Sequence, residues 1–381
     1  MSIVRSRAGR MAAAVVGAAV VLAPLGAAPA TARDDYQILV VGETLGFRHS
    51  HIDDTTRALI ELGAENGFGV DVWDPPNDSG GWWGPGSPGQ PELTLPSSPF
   101  TTADNLSRYA SIVFVSPVDN TNSLDPAVPR LLDDAEVAAL QGYVHAGGGV
   151  VGLHAATDTM HTVPWFTELI GGGARFVGHP QQQTATMRVE SPAHPSMEGV
   201  PLVWERWDEW YNFSLNPRGD VHVLMTLDES TYQGGTMGAD HPIAWCQNFE
   251  GGRSWYQGAG HVEEAWADPV FLEHVLGGIE WTAGVVSGGG NCVTWSEVQG
   301  IVDDLSDTSH RARAAERLLT KGLEAAQAAA DAGNHARAVR ILVPLAHVAR
   351  GIVPDDDTAR LLAGKIRDLA DWQRGMRDAG L

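Results

Sequence analysis

Residues 147–158 read Gly147-Gly148-Gly149-Val150-Val151-Gly152-Leu153-His154-Ala155-Ala156-Thr157-Asp158. A glycine run, a short apolar stretch and then a polar side chain followed by alanines is how a buried parallel strand ends. The apolar residues fill a sheet covered on both faces. The small residues beyond them let the chain turn and leave one side chain at the carboxyl rim, where ligands of open α/β sheets bind. Related elbows in hydrolases carry Ser or Cys. Here the position is His154, so nucleophilic acyl transfer is not the natural reading. Two readings of His154 stand: a site residue at the rim, or a core histidine closing a strand.

The stretches on either side repeat the pattern. Residues 37–41 (Q-I-L-V-V) form a first parallel strand, and the loop after it carries Arg48, His49 and His51. Leu59, Ile60 and Leu62 mark a helix that stops between Gly63 and Gly67, and 70–73 is a second strand. Residues 112–115 form a third. A helix over 133–145, capped by Asp133 or Asp134 and stopped by Gly147, delivers the chain into the His154 strand. Two β-α units leading to a glycine-rich strand end indicate a doubly wound, mostly parallel sheet. Further strands are expected over 183–189 and 221–227. A hairpin turning at Glu250-Gly251-Gly252 leads to Gly258-Ala259-Gly260-His261, and a last helix spans 269–283. The long insertion at 74–106 carries Trp82 and Trp83, either a sugar-stacking platform or anchors for the loop.

The ends differ in composition. Residues 1–32 have the form of a secretory signal peptide, with Arg5, Arg7 and Arg10, an apolar run over 11–22 and a small-residue cleavage site at Ala30-Thr31-Ala32. The expected location is therefore extracellular. The glycine-rich linker at 284–294 separates the sheet domain, 33–283, from residues 295–381, where strand signals vanish. Amphipathic helices over 295–305, 312–332, 336–349 and 355–377 make a small all-α module without a titratable cluster, which would dock on the sheet or on a protein or cell-surface partner.

Hydrophobic residues make up 43% of the 381, enough for a sizeable core. The net charge of −22 repels nucleic acid and anionic lipid, and no later stretch is apolar enough to insert in a bilayer. A neutral small molecule or a cation fits better. The two cysteines, Cys246 and Cys292, read as one disulfide in an oxidising compartment, or as two buried thiols.

His49, His51, His154, His161, His179, His194, His241 and His261 all fall at strand ends or in Gly/Pro loops of the sheet domain. Imidazoles near carboxylates bind zinc-like ions or move protons near neutral pH. No pair has a diagnostic metal spacing, and His194 and His241 precede prolines as turn residues often do. In Glu205-Arg206-Trp207-Asp208-Glu209-Trp210-Tyr211, a carboxylate between two tryptophans is partly desolvated. That raises its pKa and suits proton transfer, unless it merely pairs with Arg206.

Together these stretches resemble the ThuA-like (trehalose utilisation) family. The resemblance rests on Phe47-Arg48-His49, the His154 elbow, Gly178-His179-Pro180, Asp208-Glu209-Trp210-Tyr211, His241-Pro242 with Trp245, and the run from Gly252 to Gly260-His261. It covers residues 35–283. It implies a flavodoxin-like, class I glutamine amidotransferase-like sheet without the catalytic cysteine. It also implies a role in metabolism of trehalose and related disaccharides, 3-keto-glycosides included, in a family whose members carry glycosyl hydrolase labels. His49, His154, Glu209 and His261 are the implied site positions, with His51 and His179 beside them. An exported location and a helical tail depart from an intracellular ThuA protein, which leaves the sugar open.

The expectation is an exported carbohydrate-active protein working on a disaccharide or 3-keto-glycoside by histidine and carboxylate acid-base chemistry. His154, Glu209 and His49 are the catalytic candidates. Arg48, His51, His179, Tyr211, Trp210 and His261 are the substrate-contact candidates. His49, His154 and His261 would hold a divalent, zinc-like metal, and no nucleotide cofactor is expected. The alternative is a non-catalytic sugar-binding protein with Trp82, Trp83, Trp207 and Trp210 as stacking surfaces. An amidotransferase or protease would need a nucleophile at the elbow, and Cys246 in a hairpin is a poor one.

Overall fold

The apolar run Ile38-Leu39-Val40-Val41 is fully buried, and it is the strand from which the sheet grows in both directions. The computed structural model describes residues 36–78, 86–307 and 309–381. The proposed leader, 1–32, and Trp82 and Trp83 lie outside these described residues. In chain order, β1 (Tyr36–Val41), α1 (Ile52–Asn66), β2 (Phe68–Trp73), the short α2 (Ala103–Leu106) and β3 (Ser111–Val115) come first. Next are α3 (Asp134–His145), β4 (Gly149–Leu153), α4 (Pro164–Gly171), β5 (Phe176–Gly178), β6 (Gln183–Val189), β7 (Val203–Asp208) and β8 (Asn212–Phe213). The sheet region ends with β9 (His222–Asp228), β10 (Pro242–Phe249), β11 (Gly252–Gln257) and α5 (Pro269–Thr282). Helices α6 (Trp295–Asp303), α7 (His310–Asp331), α8 (His335–Ile352) and α9 (Asp356–Ala379) close the chain.

Among the described residues, one large sheet has the order β2-β1-β3-β4-β11-β10-β9-β6-β7, and β5 pairs with β8 in a small ribbon. The first five strands of that order run parallel, and the rest form an antiparallel extension. Helices cover both faces. A Cβ on Gly149 would strike Thr282 of α5, whereas one on Gly152 would strike Ile170 of α4 at 3.0 Å. Residues three apart on a strand point to opposite faces, so α5 and α4 lie on opposite sides.

Local sequence explains the boundaries. The Asp133 side chain accepts from the backbone N–H groups of Ala135 and Glu136, and Glu136 accepts from the N–H of Asp133, a reciprocal cap that starts α3. Glu250 and Gly251 both take positive φ, 48° and 102°, as a two-residue hairpin turn demands. Strand β7 is not evident in the sequence. It sits at the sheet edge, with Val203 and Trp207 facing solvent while Trp204 and Asp208 face inward. Arg206 does not pair with Asp208. It bonds Asp268 and stacks on Trp204 and Phe271, its guanidinium carbon 4.6 Å and 4.7 Å from the ring centres.

The terminal helices have an apolar core of their own, built on Val298, Leu319, Leu342, Leu362 and Ile366. Segment 284–294 is tied to its surroundings: Cys292 is bonded to Cys246 of β10, Asn291 donates to Asp368 at 3.1 Å, and the Val293 carbonyl accepts from His222 Nδ1 at 3.0 Å. None of the helices among the described residues is long and apolar enough to cross a membrane. The disulfide closes a loop of sequence separation 46, for which chain entropy gives about 4 kcal/mol. The double change Cys246→Ser, Cys292→Ser is expected to lower the unfolding free energy by about that amount in urea titrations. Equal midpoints with and without the bond would refute it.

Candidate active site

At the carboxyl edge of the parallel strands, loops from β1, β3, β4 and β11 meet chain from the antiparallel extension. His154 follows β4 with a positive φ of 44°, so the backbone turns sharply there and turns the imidazole onto the rim. Gly152, two residues earlier, is closely packed: a Cβ there would crowd Ile170 of α4, Ala156 and Tyr256 at 3.0 to 3.2 Å. His49 lies in the loop after β1, and Val118, Asn120 and Asn122 in the loop after β3. His261 follows Gly260, whose φ of 104° suits glycine. Glu209 and Tyr211 come just after β7, and Phe176 and His179 from β5 and its exit. His49, Val118, Asn120, Asn122, His261, Glu209, Tyr211, Phe176 and His179, with Phe47 and Asp158, line a cavity of about 400 Å³, and His154 is fully buried behind its wall. Its position, beside the point where the chain reverses between β1 and β3, is where open α/β sheets place ligands.

The polar floor is a cluster of three imidazoles and one carboxylate. The rings of His49, His154 and His261 stand nearly edge to face, with centres 5.0 to 5.3 Å apart. His154 Nδ1 is 2.8 Å from the carbonyl of Gly258, so Nδ1 carries the proton and donates it there. Its Nε2 lies 3.4 Å from Glu209 Oε2 and 3.2 Å from His261 Nδ1. Glu209 Oε2 is also 3.2 Å from His261 Nδ1. Buried His49 Nδ1 has no hydrogen-bond partner. Acceptor atoms this close share either a proton, which neutral His261 carries on Nδ1, or a metal ion.

Burial alone pushes the Glu209 carboxyl up, but hydrogen bonds and charge from His154 and His261 outweigh it and hold it well below the usual carboxylate range. This corrects the raised pKa expected from its tryptophan neighbours in sequence. Burial, then the neighbouring imidazoles, keeps His49 and His51 well below the ordinary histidine range and so neutral. One ligand atom each from His49, His154, Glu209 and His261 falls within 4.8 Å of all the others. Neutral imidazoles with a carboxylate are a donor set that suits zinc or a similar borderline ion. The Gly258 carbonyl orients His154 as metal-binding histidines are oriented. Glu209 thus joins the three histidines named from the sequence.

His179 stands at the mouth, its side chain 38% exposed. Its Nδ1 lies 3.1 Å from Glu209 Oε1 and 2.9 Å from the carbonyl of Pro180. Both partners are acceptors, so Nδ1 carries the proton and the Nε2 lone pair is left free. Tyr211 lies against His154 and Phe176, each 4.2 Å between ring centres. Burial and then the charges of Glu209 and Asp158 push its hydroxyl well up, so it stays a neutral donor.

Four candidates are not on the cavity wall: His154, fully buried just behind it, and three that are turned to other partners. Arg48 turns away from it to clamp buried Asp74 with two nitrogens, at 3.0 and 2.7 Å, and bonds Asp53 and Ser87. Buried His51 is held by Thr55 and Ser116, each at 2.9 Å, behind the cluster. Trp210 is fully buried and donates its indole N–H to the carbonyl of Gln183 at 2.7 Å. Asp208 is likewise absorbed, accepting backbone N–H groups of Glu209, Gly260 and His261, which pins the His261 loop to β7. His241 props Tyr211 from behind by donating to its carbonyl at 2.8 Å. Buried His194 accepts from the Ser196 N–H. Wall residues overlooked in the sequence are Asp158, Phe176, Asn120 and Asn122. Asp158 and the asparagines follow strand ends, so the same rim rule that singles out His154 reaches them.

Comparison with solved structures places a putative ThuA-like protein from Bacteroides uniformis beside this chain, at 21% identity and a TM-score of 0.50, covering 67% of this chain and 95% of the other. A second, from Parabacteroides merdae, has 18% identity and a TM-score of 0.47, covering 65% and 90%. A search of curated proteins returned no match. The trehalose utilisation family model matches residues 37–282, well over half of the sequence and every residue of the cluster, and the chain belongs to the ThuA family.

Proposed function

We propose that this cavity belongs to an exported enzyme that cleaves a 3-keto-glycoside derived from a disaccharide, by removing the proton next to the ketone. The observation that carries this reading is the placement of His179 at the cavity mouth, with Nδ1 3.1 Å from Glu209 Oε1 and 2.9 Å from the Pro180 carbonyl. Its Nδ1–H is fixed on Glu209 Oε1 and the Pro180 carbonyl, so Nε2 is a free base at the mouth of the cavity. Family membership points to sugars.

A ketone at C3 acidifies the C2–H. His179 Nε2 accepts that proton, the C–H electrons form the C1–C2 double bond, and the glycosidic C1–O bond breaks as the leaving oxygen gains a proton. Classical glycoside hydrolysis needs two carboxyls flanking one bond, and Glu209 is bound to histidines on both oxygens. A divalent ion held by His49, His154, Glu209 and His261 would polarise the ketone. Phe176 and Tyr211 offer apolar faces to a sugar ring, and Asn120 and Asn122 offer amides to its hydroxyls.

The test is mass spectrometry of products from trehalose and 3-keto-trehalose, with the protein as purified, after EDTA, and after zinc is restored. Conversion of the keto-sugar alone, lost to EDTA and returned by zinc, is the expected result. Hydrolysis of trehalose itself, or no conversion of either sugar by folded protein, would overturn it.

A further inference from the structure

The elimination written above leaves the departing glycosidic oxygen in need of a proton, and the ring nitrogens His154 Nδ1 and His261 Nδ1 are already engaged by the Gly258 carbonyl and by Glu209. We infer that Asp158, on the wall of the same cavity, is the proton donor to that oxygen, which lets the enzyme cleave glycosides with a poor, unactivated leaving group. This inference rests on the keto-glycoside reading.

The geometry is that of a buried acid waiting for a partner. Asp158 follows the helical turn that begins at His154 and lines the cavity, yet it is almost entirely buried, and its Oδ1 has no hydrogen-bond partner. The facing groups do not supply a cation. His161 approaches Oδ1 only at 3.9 Å, and its Nε2 proton is given to the carbonyl of Thr157 at 2.8 Å. Asp119, from the loop after β3, already accepts from Thr121, Leu131 and Met160 and presents only negative charge. Tyr256 of β11 shares its hydroxyl between Thr157 and the carbonyl of His154. Tyr211 lines the same cavity as Asp158 and Glu209 and is influenced by the charges of both.

An ionised carboxylate in that position would be unsolvated and repelled. Burial, then Asp119, accordingly pushes the Asp158 carboxyl up to about 8. Two carboxyls in one cavity, one held charged by imidazoles and one held neutral, is how sites divide base-side and acid-side roles. In the step itself the Asp158 O–H bond breaks and an O–H bond forms on the leaving sugar. The resulting carboxylate regains its proton from solvent through the open mouth.

The experiment compares wild type, Asp158→Asn and Asp158→Glu on two substrates, 3-keto-trehalose and 4-nitrophenyl 3-keto-glucoside. Nitrophenolate leaves without protonation. The Asn variant is expected to lose about 10²- to 10⁴-fold in kcat on the disaccharide with little change in KM, but less than about tenfold on the nitrophenyl sugar. The Glu variant should recover part of the disaccharide rate. Wild-type turnover of the disaccharide should fall as pH rises through about 8, a limb missing with the nitrophenyl substrate. A carboxylic-acid C=O infrared band that titrates with that midpoint and disappears in Asp158→Asn is a readout independent of turnover. Equal losses on both substrates would make Asp158 a structural residue and overturn the inference, as would an Asn variant indistinguishable from wild type. Failure of the underlying reading looks different: the wild type then converts neither keto-sugar.

Discussion

Glu209→Gln is expected to lower turnover of a keto-glycoside by about 10³-fold while leaving the fold intact, because it removes one charge on which two functions converge. Oε1 fixes the Nδ1–H of His179 and so keeps Nε2 free as base; Oε2 faces His154 and His261 and completes the possible metal set. An amide of the same size can still accept on its oxygen but presents an NH₂ group to the other side. There it meets either a donor, which it repels, or a lone pair meant for an ion. His154→Ala should cost a similar factor through loss of one ligand and of the Gly258 link, and the double variant should be little worse than either single one, because the cluster acts as a unit. Zinc should raise the melting temperature of wild type and fail to do so for Glu209→Gln. Turnover of Glu209→Gln within threefold of wild type would remove Glu209 from the chemistry.

How far the sequence reaches depends on whether a residue's partners are near it in the chain. The parallel half of the sheet was legible because each strand is a short apolar run ended by glycine or a polar loop, buried on both faces. The C-terminal helices were legible from their apolar spacing. Strand β7 was not, because it reverses the usual sorting: Val203 and Trp207 face solvent, while Asp208 is turned inward to collect backbone N–H groups from the His261 loop. Strands β5 and β8 are too short to leave any periodic trace.

The site divides in the same way. His49, His154 and His261 could be grouped because each follows a strand end, and parallel strands deliver their ends to one rim. Glu209 follows the antiparallel β7, and only the family resemblance joins it to them. Direction along that rim is not encoded locally. Arg48 and His49 are adjacent, yet Arg48 turns to Asp74, far off in sequence, and only His49 faces the cavity. Glu209 shows the limit most plainly. Its sequence neighbours are tryptophans, which suggested a desolvated carboxyl with a raised pKa. Its spatial neighbours are histidines from three separate loops, and they reverse the sign.

Asp158 should make the protein progressively less stable as pH rises from about 4 to about 8, an effect that Asp158→Asn removes. The unfolded chain releases this proton near the ordinary aspartate value of 3.8, whereas the folded protein keeps it until about 8. Between those values the folded state binds more protons than the unfolded one, so the unfolding free energy falls with pH and levels off above the folded pKa. The window spans about four pKa units, which sets a ceiling on the order of 5 kcal/mol, reduced by any relaxation that lets water reach the ionised group. His161 lies in the same region, and burial lowers its pKa, which acts in the opposite sense near pH 6. It is present in both proteins, so the difference between wild type and Asp158→Asn isolates the carboxyl. Urea midpoints measured from pH 4 to pH 9 should therefore nearly coincide at the acid end and diverge toward the alkaline end, with the Asn variant the more stable. A constant offset would mean that Asp158 ionises normally in the folded protein. The same buried carboxyl would then be more stable replaced by an amide at the pH where its proton is used, a cost that packing alone gives no reason to carry and that a proton donor requires.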